Sequence, residues 1–171
     1  LSAAEGDRLP DLLGPGLRVV FCGTAASSAS AARGAYYAGP GNRFWATLQA
    51  AGFTPERVQP AAFATLLGLG IGLTDLAKRA SGVDRSLRSS DFDRMRLLAT
   101  LDRWKPAALA FTSKRAAAAF HAPGATLAFG AQPAIAGLPR LFVLPSTSGS
   151  NAHWPAQQHH WREAARALGF A

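Results

Sequence analysis

The chain has 171 residues, 49% of them hydrophobic and 16% charged, enough apolar material for one layered domain and too much for intrinsic disorder. Lys and Arg outnumber Asp and Glu by 18 to 10, for a formal charge of +8 and a pI near 11.0, so a polyanionic partner is the first expectation. The single cysteine, Cys22, excludes a disulfide framework and any four-cysteine metal or iron–sulfur site. No apolar run reaches bilayer length and no secretory leader is visible, so a cytoplasmic protein without membrane contact is expected.

Residues 1–16, rich in Gly, Pro, Asp and Leu, read as a peripheral segment of a single domain spanning 1–171. Residues 17–22 (LRVVFC) are β-rich and form the first predicted strand, ending at Gly23. The stretch 24–41 is small and polar, and a connection of that length is usually functional. Asn42 is placed to cap a helix over 43–51, stopped by Gly52. A second helix is predicted over 60–67, a short apolar strand over 71–76, and a polar connection over 77–90. Ser90, with Asp91 and Asp93 behind it, reads as the start of a helix running to 103. The pattern then gives a strand over 107–111, a helix over 113–121, a short strand over 126–129 and a last core strand over 139–144. Pro145 cannot donate to a sheet ladder, so the chain must leave the sheet there. Pro155 opens a closing helix to 168.

Strands alternating with helices predict an α/β architecture with a mainly parallel sheet covered on both faces. Ligands of such sheets bind beyond the carboxyl ends of the strands. The loops after Cys22, Leu76 and Leu144 are therefore expected to meet in one cleft. The first has no GxGxxG and no GxxxxGK[ST], which argues against a nucleotide-binding α/β protein. It carries instead Tyr36 and Tyr37 among small residues; one of the pair suits the core, the other a stacking platform for a planar base.

Gly23-Thr24-Ala25-Ala26-Ser27, the run from Tyr36 to Trp45 (YYAGPGNRFW), Gly72-Leu73-Thr74-Asp75-Leu76, and the loop from Val143 to Asn151 together resemble the mismatch-specific uracil/thymine DNA glycosylases, a branch of the uracil-DNA glycosylase superfamily. The resemblance spans residues 17–168 and implies a three-layer sandwich with a short, mainly parallel central sheet flanked by helices. It implies a monomeric, cofactor-free enzyme of base-excision repair acting on double-stranded DNA that contains a mismatched or damaged base. Tyr37 takes the place of the stacking aromatic. Thr24, Ala25, Tyr37 and Asn42 form the implied base-binding set. Ser148, Gly149, Ser150, Asn151, Ala152 and His153 match the loop that enters the duplex, with Ser150 where the family often presents a bulky wedge.

Ala25 stands where better-known members carry the asparagine that positions the attacking water. A methyl group can neither orient nor deprotonate water, so either the activity is lost or another residue has taken the role, for which a carboxylate facing the sugar is suited. Asp84, bracketed by Gly82 and by Arg79, Arg85 and Arg88, is the first choice, and Arg85 is a candidate phosphate contact. Asp75 and then Asp93 are the second choices. No lysine lies in the base-pocket motifs, which argues for monofunctional hydrolysis over a Schiff-base lyase. His153, His159 and His160 show no metal-binding spacing in the sequence, and no metal is expected. Two alternatives remain: a non-catalytic mismatch-binding domain, and a glycosylase that prefers hypoxanthine or xanthine.

Overall fold

The computed structural model describes residues 5–82, 86–121 and 124–170. Its strands are β1 (Val19–Ala26), β2 (Ile71–Ser81), β3 (Ala108–Phe111), β4 (Gly130–Ala131) and β5 (Arg140–Val143). They form one sheet in the order β2-β1-β3-β5-β4. Every neighbouring pair is parallel except β4 against β5. The helices are α1 (Ser28–Arg33), α2 (Phe44–Ala51), α3 (Arg94–Trp104), α4 (Lys114–Phe120), α5 (Trp154–Gln157) and α6 (His159–Ala167).

The layers follow from strand alternation. Successive side chains of β1 point to opposite faces, so Val19 and Phe21 join one core with Phe44, Trp45, Leu48 and Trp161. Val20 and Cys22 join the other, with Leu97 and Leu101 of α3 and Ala116, Ala117 and Phe120 of α4. Trp161 is fully buried. Its ring stacks on Phe21 at 5.4 Å, and its Nε1 donates to the carbonyl of Pro145 at 3.0 Å. This anchor fixes the start of the loop after β5.

Several predicted boundaries move. β1 continues through Gly23 to Ala26 and β2 runs to Ser81, taking residues 77–81 out of the expected loop. The two strands support each other there, with Ala25 opposite Ala77 and a register shift before Ala26 meets Ser81; pairing outweighs the poor β-propensity of Ala, Lys and Arg. The outer edge of β2 is covered by the N-terminal segment through the Leu12–Leu73 bridge and an Arg8 N–H to Lys78 carbonyl bond of 2.8 Å, which protects an edge otherwise open to pairing. α1 lies inside the predicted loop 24–41, capped by Ser27. The predicted helix over 60–67 is a 3-10 stretch, Pro60–Leu69. Residues 126–129 are not a strand, and the edge strand is β4 instead. The closing helix is divided into α5 and α6.

Candidate active site

The carboxyl ends of β1, β3 and β5 open into one cleft with a cavity of about 570 Å³. β1 contributes Gly23, Thr24 and Ala25, with Ser27 just beyond; Thr112 and Ser113 follow β3; Ser146, Thr147, Ser148 and Ser150 follow β5. Tyr37 and Asn42 close one side, and Gly82, one residue past β2, lines another part. The walls are hydroxyls and backbone, a surface suited to hydrogen-bonding a planar polar ligand.

Tyr37 is held from two directions. Its ring lies against Phe44 with centroids 3.8 Å apart and planes 16° from parallel, and its hydroxyl shares a 3.1 Å hydrogen bond with Thr112 Oγ1. Its backbone φ is +52°, a left-handed conformation that costs a bulky residue free energy and persists where the surroundings impose it. Its neighbour Tyr36 is the core member of the pair, 1% exposed, with Trp45 Nε1 donating to its carbonyl at 3.1 Å.

The loop after β5 is lashed to the start of α2. The helix starts at Phe44 with Arg43, not Asn42, in the cap position and without a side-chain cap; Asn42 Oδ1 instead accepts from the Phe44 N–H and from the Thr147 hydroxyl, both at 2.9 Å, and so joins two cleft loops. Arg43 donates its backbone N–H to the Thr147 carbonyl at 2.9 Å and its guanidinium to the Ser148 carbonyl at 2.7 Å. A side chain at Gly149 would meet the Gly41 carbonyl at 3.1 Å, which explains glycine at this close approach. Within the loop Ser148 and Ser150 hydroxyls lie 2.9 Å apart, and Asn151 Nδ2 donates to the Ser146 carbonyl at 2.9 Å. Gly149, Ser150, Ala152 and His153 are exposed at its tip.

The carboxylates fall in different places. Asp84, like Arg85, lies outside the described residues. Asp75 is 4% exposed and does not line the cleft. Its carboxyl sits behind Gly23, where an added Cβ would stand 2.5 Å from Asp75 Oδ1 and 3.3 Å from the Tyr37 hydroxyl. Burial pushes its pKa up to about 6, against the pull of Lys78 and Arg96. Asp93 is the cap of α3: its Oδ1 accepts from the Arg96 N–H at 2.8 Å, and it is absent from the cleft lining. The helix thus starts later than predicted, and Asp93 is committed to its first turn.

Sequence reasoning missed Thr112 and Ser113, although they end a predicted strand as the flagged loops do. It also set Lys78 apart from the pocket motifs, whereas Lys78 is 4% exposed, donates to the Tyr36 hydroxyl at 3.1 Å and pairs with Asp11 at 2.9 Å. Lys78 is nonetheless absent from the cleft lining. Contrary to the expectation from spacing, ligand atoms of His159, His160 and Glu163 do gather within 4.8 Å of one another at the start of α6. That cluster is apart from the cleft lining, and His160 Nδ1 already lies 3.3 Å from Glu163 Oε2.

Residues 10–169 match the family model of the uracil DNA glycosylase superfamily. The solution structure of a candidate uracil DNA glycosylase from Methanosarcina acetivorans superposes with a TM-score of 0.67 at 21% identity, covering 94% of this chain and 96% of that one. The similarity establishes the shared three-layer α/β fold. With the match extending over nearly its whole length, the chain belongs to the uracil DNA glycosylase superfamily, whose members are DNA glycosylases.

Proposed function

We propose that this protein draws uracil, or a related damaged base, out of mismatched double-stranded DNA and hydrolyses its N-glycosidic bond without cutting the strand. The observation that carries the reading is the aromatic floor at Tyr37, set inside a hydroxyl-lined cleft beside an exposed loop. A base lying on Tyr37 gains about 1–3 kcal/mol of stacking. Backbone and hydroxyl groups at Thr24, Ala25 and Asn42 surround its edges, and Ser148 to His153 occupy the space it leaves in the duplex. Extrusion is least costly at a mismatched pair, which supplies part of the selectivity. The excess of basic residues, Arg85 among them, draws the protein to the phosphate backbone.

Asp84 is the proposed general base, on the segment that follows the cleft-lining Gly82. It takes a proton from the water that attacks the sugar, a role Ala25 cannot fill. Since Lys78 is engaged by Asp11 and does not line the cleft, the reading is monofunctional, and the protein acts alone as a cytoplasmic monomer. The test is a single-turnover assay on a duplex with uracil opposite guanine. An abasic product with an uncut strand is expected, with Asp84→Ala abolishing turnover and leaving duplex affinity within about twofold. Tight binding with no product would instead favour a mismatch-binding module, the reading that the Ala25 methyl in the cleft supports. Turnover that survives both Asp84→Ala and Asp75→Ala would end the carboxylate mechanism. A panel including hypoxanthine and xanthine duplexes ranks the substrates.

A further inference from the structure

Beneath the cleft floor lies a cluster of charged groups that the reaction above leaves unused. Asp75 pairs with Gly23 across β1 and β2, and its carboxyl rests where a side chain at Gly23 would begin, beside the Tyr37 hydroxyl. The charges acting on it come from three elements: Lys78 on β2, Arg96 on α3 and Asp11 on the N-terminal segment. Among the described residues, the phenols of Tyr36 and Tyr37 and the thiol of Cys22 are the other titratable groups that sense it. Asp11 ties the cluster together. It pairs with Lys78 and with Arg96, each at 2.9 Å, and accepts from the Thr74 hydroxyl at 2.7 Å. Arg96 also donates to the Asp75 backbone carbonyl at 2.6 Å.

We propose that this cluster sets the charge beneath the departing base, so that cleavage accelerates when Asp75 takes up a proton, with Asp11 as the positioning residue that determines when it does so. The inference rests on the glycosylase reading above. With Asp75 ionised, two carboxylates offset two cations. With Asp75 protonated, one net positive charge remains under the floor. When the C1′–N bond breaks, its electron pair stays on the base, while water delivers hydroxide to C1′ and its proton to the general base. A positive charge under the base stabilises that developing anion. At an effective dielectric of ~20, one unit charge this close beneath the base changes the rate about tenfold or more. Burial and the neighbouring Asp11 raise the pKa of Asp75 while Lys78 and Arg96 lower it, leaving it at about 6, within reach of small changes in the cluster.

The experiment is single-turnover cleavage of a uracil–guanine duplex from about pH 8 to about pH 5 by the unaltered protein, Asp75→Asn and Asp11→Asn. The unaltered protein is expected to speed up about tenfold or more on acidification. Asp75→Asn is expected to match that fast plateau at every pH. Asp11→Asn, which removes one negative charge, is expected to be faster at about pH 8 and to shift the inflection downward, a change that a purely structural contact would not produce. Carboxyl NMR titration of Asp75 must show the same downward shift in Asp11→Asn. Cleavage with a flat profile, or slower cleavage by Asp75→Asn at about pH 8, overturns this inference and leaves the glycosylase reading intact. No cleavage at any pH overturns both.

Discussion

Asp75→Asn isolates the cost of holding a carboxylate under the cleft floor. The folded protein raises this group from 3.8 to about 6, which corresponds to roughly 3 kcal/mol. The sign follows from the direction. A raised carboxyl binds its proton more tightly in the fold, so its favourable contribution is fully present below about pH 3.8 and is lost as pH rises through about 6. Above that pH the native protein carries an ionised group that would be better solvated in the unfolded chain. The Asn amide matches the neutral acid in shape and never ionises. Relative to the unaltered protein, Asp75→Asn is therefore expected to gain nothing near pH 3.8 and up to roughly 3 kcal/mol above pH 6. With a urea m-value of about 2 kcal/mol/M, the midpoint rises by up to about 1.5 M at about pH 7.5. Paired urea titrations at about pH 7.5 and about pH 4 measure the difference directly. Equal stability at both pH values, or a less stable variant at the higher one, would refute the claim that burial dominates this site.

Three further outcomes test other parts of the architecture. Gly23→Ala places a Cβ 2.5 Å from Asp75 Oδ1; displacing that carboxyl and Tyr37 with it should cost about 1–3 kcal/mol in a denaturant titration and lower cleavage more than it lowers duplex binding. Trp161→Ala empties the centre of one core and removes the donor to the Pro145 carbonyl. A loss of about 3–5 kcal/mol is expected by thermal or urea unfolding, with faster hydrogen exchange in the loop after β5. Ser150→Leu puts a bulky apolar wedge at an exposed loop tip; if this loop enters the duplex, base extrusion and single-turnover cleavage should rise several-fold, and an unchanged rate would place the wedge elsewhere.

The chain itself declared its fold class and the position of its cleft. Short β-rich runs at 17–22, 107–111 and 139–144, each broken by Gly, Thr-Ser or Pro, became the central parallel strands. The chain leaves the sheet after Ala26, three residues later than the expected break at Gly23, and just before Pro145, and both loops lie at the same end because a parallel sheet presents all its carboxyl ends on one side. Thr24, Ala25, Tyr37, Asn42, Ser148 and Ser150 meet there as expected, and Tyr36 took the core role of the tyrosine pair. Local pattern carries this much, since alternation, turn residues and caps act over a few residues.

What the sequence by itself left open depends on residues brought together from far apart in the chain. Ala77 to Ser81 became strand because Ala25 and Ala26 were there to pair with them, a partnership with no local signature. Asp93 was fixed as a helix cap only when α3 began at Arg94. Asp11, Lys78 and Arg96 are 67 and 18 residues apart in successive pairs, as 78 less 11 and 96 less 78 show, and only the edge position of the N-terminal segment makes them one cluster. Asp75 acquires its raised pKa from the same assembly, because desolvation and charge proximity are properties of the packed interior and not of the neighbouring residues in the chain.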